Sequence, residues 1–418
     1  LISDYSEASY GKSYTRVART ENIVAKIEGT NPGNAIVLAG HYDSVLSSPG
    51  AADDIHAVAC MLETARLLKM QEYKNDIIFL ITDGEEMGLL GAKAYVDNQE
   101  LSHIKMLLNF EARGNSGAGF FFEWSEGNAW LVRQLKKAAR RPVTNSLAYE
   151  VYKRLPNGSD FTHFKNAGIR GINHAFIDGF SYYHNPDDRP EHINMRSVQH
   201  TGENMYRMTQ HFANIDLDQG FDSEDASFFN FMGTLIIYPA NFDLLLLLLF
   251  SVAVILIIIK GNKSKISYRS LLSAFGAILL VLTGTIAINT ALSWLLFKVY
   301  PQYDFFYVGQ FYNHKWYIIS AVAITLLLFW LPANYLQKKQ NLISIQLAGL
   351  SFLVILGLIV FYFIPTATYL IVIPGMAMTV FFAMSQRTTS AGFERPMIFK
   401  YILSIIPLAI WGPVVITL

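Results

Sequence analysis

Hydrophobic positions follow two regimes along the chain. Up to about residue 215 they form short runs broken by polar clusters; from Phe228 they form long stretches with few charges. In the first regime, Ile77 to Ile81 is continuous, apolar and rich in β-branched residues. That is the pattern of a strand buried on both faces of a parallel sheet. Ala35–Gly40, Lys105–Phe110 and Gly171–Ile177 read the same way, Phe120–Glu123 reads as a further strand, and Asn22–Glu28 as an edge strand. Asn31-Pro-Gly-Asn34 reads as a turn. Helical periodicity covers roughly Ile55–Met70, Met87–Asn98, Asn128–Arg140 and Met195–Phe212. Strands alternating with helices predict an α/β fold, a mixed, mostly parallel sheet sandwiched by helices.

The second regime predicts an all-α, multi-span transmembrane domain. Leu244–Ile259, Leu271–Phe297, Trp316–Leu336, Ile343–Ile364, Tyr369–Met384 and Met397–Leu418 are six apolar runs, each near the ~20 residues that cross a bilayer. Phe228–Tyr238 either extends the first span or lies on the surface. The expected organisation is therefore a globular unit at 1–215, a linker at 216–230 and a membrane domain at 231–418.

Charge sharpens this division. The chain carries 33 basic and 33 acidic residues, but from Ala226 onward eleven Lys and Arg face only three carboxylates, Asp243, Asp304 and Glu394. An acidic unit is joined to a basic, apolar one. The basic residues of the second half cluster at 260–270, 337–341 and 385–396, whereas 300–315 and 365–368 are poor in them. The positive-inside rule puts the basic loops in the cytoplasm and the globular unit on the opposite, extracytoplasmic side. No basic arm or Cys/His finger spacing points to nucleic acid. A single cysteine, Cys60, excludes disulfides and thiolate metal sites. The chain starts at Leu1, shows no signal peptide and ends inside an apolar run, as a piece of a longer parent would.

The candidate chemistry sits where the strands end. Ile77–Ile81 runs into Asp83-Gly84 and then Glu85-Glu86. Two neighbouring carboxylates at the carboxyl end of a buried strand lie where open α/β sheets place ligands. His41 and Asp43 follow Ala35–Gly40, and extended backbone points both the same way. Asp53-Asp54 opens the next helix, where an Asp has N-capping as its ordinary role. Glu111 ends another strand, and His184 lies in a loop after the last. Three carboxylates and two imidazoles without thiolate suit zinc. Five ligands exceed the three of a single catalytic zinc and suit two metals with one bridging carboxylate. A remaining carboxylate, Glu85, would then take a proton from an activated water and hand it to a leaving amine.

These residues also carry a resemblance. HYDS at His41, GAADD at Asp53, DGEEMGLLGA at Glu85-Glu86, NFEARG at Glu111, GSDFTHF at Asp160 and YYHNPDD at His184 occur in the order found in the di-zinc aminopeptidase family. The chain resembles aminopeptidase Y and bacterial leucyl aminopeptidase over about residues 20–215. With its apolar half, it resembles the membrane-bound branch of endoplasmic reticulum metallopeptidases and vacuolar membrane proteases. The resemblance implies that His41 and Glu111 hold one zinc, Glu86 and His184 a second, and Asp53 bridges them. It implies Glu85 as general base and Asp43 as an orienting residue. Asp160 then braces the loop near the site, while His56 and Tyr183 support the site or line a substrate pocket. Glu111 departs from the family's usual Asp, and Ile55-His56-Ala57 replaces its usual small residues.

The implied activity is removal of N-terminal residues from peptides by a chain held in a lipid bilayer. Two alternatives stay open: a glutaminyl cyclase-like transferase, and a silent receptor or scaffold on the same fold.

Overall fold

The computed structural model describes residues 2–10, 14–218, 224–262, 268–305, 314–339 and 342–390. The chain divides after Pro239 into two compact units.

The first unit begins with a hairpin, β1 (Ile2–Tyr10) and β2 (Tyr14–Glu21). Its centre is a seven-stranded sheet built from β3 (Ile23–Ile27), β4 (Asn31–His41), β5 (Asn75–Thr82), β6 (Ile104–Ala112), β7 (Phe120–Trp124), β8 (Val143–Thr144) and β9 (Gly171–Phe176). The order across the sheet is β3-β5-β4-β6-β9-β7-β8. β5, β4, β6 and β9 are parallel; β3 and β7 run antiparallel to their neighbours β5 and β9. The chain leaves β4 to one side for β5 and returns to the other side for β6. That reversal is the switch point at which α/β sheets open a crevice beyond the strand carboxyl ends.

Alternation along the strands builds two cores. Ile36 and Leu38 of β4 and Ile77, Phe79 and Ile81 of β5 face one side. There they pack with Met61 of α1 (His56–Leu68), Leu131 and Leu135 of α3 (Ala129–Ala138), and Met205, Met208 and Phe212 of α6 (Met195–Phe212). Ala35, Val37, Ala39, Ile78 and Leu80 face the other side. They meet Ala92 and Tyr95 of α2 (Leu90–Asn98) and Phe161 and Phe164 of α5 (Asp160–Asn166). All eight residues of β5 are buried, as its unbroken apolar pattern predicts. Each large aliphatic side chain so buried contributes about 1.5–3 kcal/mol.

Three local expectations are corrected. Asn31–Asn34 belongs to β4: Asn31 pairs with Asn75 and Ala35 with Asp76, so the intervening residues bulge out of the ladder. The second helix starts at Leu90, not Met87, because Gly88 and Leu89 adopt positive φ (117° and 62°). The third lies between 216 and 239, where a linker and the start of a span were expected. In its described part this segment forms a hairpin, β10 (Ala226–Phe231) and β11 (Thr234–Pro239). Ala226, Phe228 and Leu235 enter the first unit's core, and the Asn230 side chain accepts a hydrogen bond from the Thr144 N–H at 2.8 Å. The apolar content read as membrane is thus core-facing alternation. α4 (Ser146–Tyr152) and β8 carry no strong periodicity and were not anticipated.

The second unit comprises α7 (Asn241–Asn262), α8 (Tyr268–Val299), α9 (His314–Lys339), α10 (Leu342–Phe363) and α11 (Tyr369–Ser390). Among the described residues, three helices are long and apolar enough to cross a membrane, over 241–260, 268–299 and 343–363. Lys315–Leu328 and Tyr369–Met384 are shorter apolar segments. Leu247, Phe250 and Val254 of α7 pack with Leu347 and Leu350 of α10 and Val372 of α11. The expected span at 397–418 lies outside the described residues.

Candidate metal centre

The strand ends bring the titratable residues together. His41 is the last residue of β4 and only 1 % exposed. Gly40, within β4, lies directly against the Asp53–Asp54 turn. A Cβ on Gly40 would lie 2.9 Å from Asp54 Oδ2 and 3.2 Å from Ala57 Cβ, so only glycine lets the turn sit this close. The His41 N–H donates to Asp54 Oδ2 at 3.2 Å, which pins the turn to the strand.

His41 Nδ1 lies 2.9 Å from the Asp43 carbonyl oxygen. A proton on Nδ1 satisfies that carbonyl and leaves the Nε2 lone pair facing the crevice. Nε2 is 3.3 Å from Asp53 Oδ1 and 3.5 Å from Glu111 Oε2. The other oxygen of Asp53, Oδ2, lies 3.2 Å from His184 Nε2, and Glu86 Oε1 is 2.9 Å from the same nitrogen. Two potential ligand groups result, His41/Asp53/Glu111 and Asp53/Glu86/His184, each with donor atoms within 4.8 Å of one another. Asp53 belongs to both through different oxygens.

The supporting bonds are specific. Asp43 accepts the backbone N–H groups of Glu85 and Glu86, at 3.0 and 3.1 Å on separate oxygens. It thereby fixes the pair of carboxylates as well as neighbouring His41. Asp188, 1 % exposed, accepts the N–H groups of Ala52 (2.7 Å) and Asp53 (3.2 Å). Asn109 Nδ2 donates to Glu111 Oε1 at 2.9 Å, leaving Oε2 towards His41. Sequence reasoning missed Asp188 and Asn109. The only signals were the second Asp of YYHNPDD and an Asn two residues before Glu111 on the same strand.

Charge is concentrated here. Burial and the carboxylates of Glu111, Asp160 and Glu86 push the Glu85 carboxyl well up, against the pull of His41. Burial opposes ionisation of Asp53, but hydrogen bonds from His184 and His41 hold it well below the usual carboxylate range. Burial also opposes protonation of His184, yet Asp53 and Glu86 raise it to about 9. In both histidines the carboxylates favour a cation at the imidazole edge. A donor set of three carboxylates and two imidazoles with convergent oxygens and nitrogens fits divalent metal ions. Glu85 stands outside both ligand groups.

The remaining candidates separate by environment. Asp160 is fully buried and accepts a hydrogen bond from Thr82 Oγ1. Burial and nearby Glu111 raise it to about 7. His56 is 3 % exposed. Its Nδ1 lies 2.6 Å from the Ala52 carbonyl oxygen, and its ring packs on Phe176, so it supports the ligand turn from behind. Tyr183 stacks face to face on His184, with centroids 3.8 Å apart and planes 19° apart.

Residues 22–209 match the model of Peptidase family M28. The chain is 28% identical over 315 residues to endoplasmic reticulum metallopeptidase 1 of Rattus norvegicus, covering 69% of this chain and 34% of the relative. It is 29% identical over 282 residues to the vacuolar membrane protease of Candida tropicalis, covering 64% and 31%. The chain thus spans about a third of these curated relatives. Among solved structures it is similar to BSAP, a zinc aminopeptidase from Bacillus subtilis, at 23% identity and TM-score 0.39, covering 50% of this chain and 55% of that one. A glutaminyl cyclase from Tannerella forsythia is similar at 20% identity and TM-score 0.37, covering 49% and 82%. Residues 22–209 thus carry the match to Peptidase family M28, and helices long and apolar enough to span a membrane follow them in the sequence.

Proposed function

We propose that this chain is a membrane-anchored zinc aminopeptidase that removes N-terminal residues from peptides on the extracytoplasmic face. The observation that carries the reading is the pair of ligand groups sharing Asp53, with Glu85 beside them and outside both. His41 and Glu111 would hold one zinc, Glu86 and His184 a second, and Asp53 would give one oxygen to each. Zinc bound there supplies Lewis acidity towards the scissile carbonyl and an acidified water. Glu85 accepts the proton of that water as its oxygen bonds to the carbonyl carbon. Glu85 then returns the proton to the nitrogen as the C–N bond breaks, releasing a neutral amine. Glu85, outside both ligand groups, keeps its carboxylate for carrying the proton between these two steps. Asp43 keeps Glu85 in place through its backbone N–H. The apolar helices would anchor the enzyme, and the basic loop at 260–270 supports an extracytoplasmic side for the domain before it.

The test is metal content and aminoacyl-anilide hydrolysis by the purified chain, beside Glu85→Gln. We expect about two zinc per chain, as the shared carboxylate implies, and loss of turnover with metal retained in Glu85→Gln. Two zinc without turnover on any aminoacyl substrate would replace the reading with a silent scaffold. One zinc with cyclisation of N-terminal glutaminyl peptides would replace it with a transferase.

A further inference from the structure

We infer that Arg113 is a positioning residue for the metal ligand His184, acting through the ring of Tyr183. The inference rests on the proposed reading that His184 binds metal. Arg113 follows Glu111 by two residues, just past the end of β6. Its backbone N–H donates to the Phe176 carbonyl at 3.0 Å, which fixes it to the end of β9. Its guanidinium carbon lies 5.7 Å from the ring centroid of Phe180 and 5.7 Å from that of Tyr183. Both distances are within the range of cation–π attraction. The two rings are 5.4 Å apart and inclined by 30°, so one planar cation engages both. Tyr183 in turn stacks on the His184 imidazole.

His184 needs such support. It sits at φ 54°, in the left-handed region that non-glycine residues rarely adopt. Its Nε2 must point at Glu86 and Asp53 together. Its carbonyl oxygen accepts a hydrogen bond from Ser47 Oγ at 3.1 Å, which holds the backbone and leaves the ring plane to its stacking partner. A stacked ring held from behind by a cation sets the imidazole plane without occupying either ring nitrogen. Arg113 is thus one ring from His184 in space, and its side chain meets the rings of Phe180 and Tyr183 although Glu111 is only two residues away in sequence.

The experiment titrates zinc into the metal-stripped full chain in detergent, against a competing chelator, for wild type, Arg113→Gln, Arg113→Lys and His184→Ala. His184→Ala identifies the binding step that belongs to His184. We expect Arg113→Gln to weaken that step about tenfold, the low end for groups that orient a ligand, and to leave the other step unchanged. Arg113→Lys, which keeps a cation over the rings, recovers part of the loss. The thermal midpoint of the metal-stripped chain stays at the wild-type value in both Arg113 variants. Equal weakening of both steps would assign Arg113 to Glu111 or to the fold and overturn the inference. So would an unchanged His184 step in Arg113→Gln. If His184→Ala itself alters no binding step, the ligand reading fails first and the inference falls with it.

Discussion

Asp43 offers the sharpest test of how the site is held. Its carboxylate takes the N–H of Glu85 on one oxygen and that of Glu86 on the other. In Asp43→Ala both bonds vanish at once. A hydrogen bond to a charged group contributes about 1.5–3 kcal/mol. The Asp43 side chain is 15% exposed, so the low end applies and the two bonds together amount to about 3 kcal/mol. Much of that stabilises one conformation of a single loop, Asp83 to Leu89, between β5 and α2. Releasing it lets Glu85 and Glu86 shift together. A displacement of about 1 Å at a reacting group costs on the order of 10²-fold in rate. Asp43→Asn keeps one acceptor oxygen and turns its amide towards the other N–H, so it should fall between alanine and wild type. The assay is kcat and KM on an aminoacyl anilide at saturating zinc, with thermal unfolding in parallel. We expect kcat to drop about 10²-fold in Asp43→Ala with KM changed little. The reasoning is refuted if both variants keep kcat within about threefold of wild type, a change under 1 kcal/mol. It is equally refuted if zinc binding collapses while kcat per bound zinc is normal.

Three further outcomes follow from the geometry. Asp188→Ala removes the acceptor for the Ala52 and Asp53 N–H groups; zinc affinity measured by competition should fall about 10–100-fold, with the loss shared by both binding steps because Asp53 serves both. Gly40→Ala forces a methyl group to within 2.9 Å of Asp54 Oδ2; denaturant unfolding should show a loss of about 1–3 kcal/mol, and an unchanged midpoint would mean the turn relaxes freely. His174 is buried between Phe110 and Phe121, and burial, with like charge from His200 and His56, pulls its pKa well below 6.5. The unfolded chain therefore takes up a proton below about pH 6.5 that the folded chain refuses. Stability from this group is complete above that pH and declines as pH falls, by up to about 1.4 kcal/mol per unit. Thermal midpoints between pH 7 and 5 should fall less steeply in His174→Leu; parallel slopes would count against the argument.

Most of the site was legible because its residues lie next to strong local signals. The apolar run Ile77–Ile81 marks β5, and Glu85-Glu86 follows it directly. His41 ends β4, and Glu111 falls within the last turn of pleat of β6. A strand buried on both faces announces itself by composition, and its carboxyl end is then known to within a residue or two. The less visible parts lack such a signal. Asp188 and Arg113 act on backbone or rings far from them in sequence, and nothing in a loop's composition names its partner. The sequence leaves His56 either supporting the site or lining a substrate pocket; its ring contact with Phe176 accompanies burial behind the ligand turn. The 226–239 hairpin read as membrane because its alternation is short and adjoins a longer apolar run.

The sequence by itself determined the alternation of strands and helices, the division into an acidic α/β unit and an apolar helical one, and the identity of the five candidate ligands. These depend on local periodicity and residue chemistry, which the order of residues carries directly. Tertiary structure alone decided that Asp53 turns one oxygen to each histidine, and that Asp43 and Asp188 hold the ligand loops through backbone N–H groups. Those outcomes depend on β4 lying between β5 and β6 and on a loop more than 130 residues away folding back over Asp53. Such closures are settled by the packing of both sheet faces together, and no stretch of the chain encodes them alone.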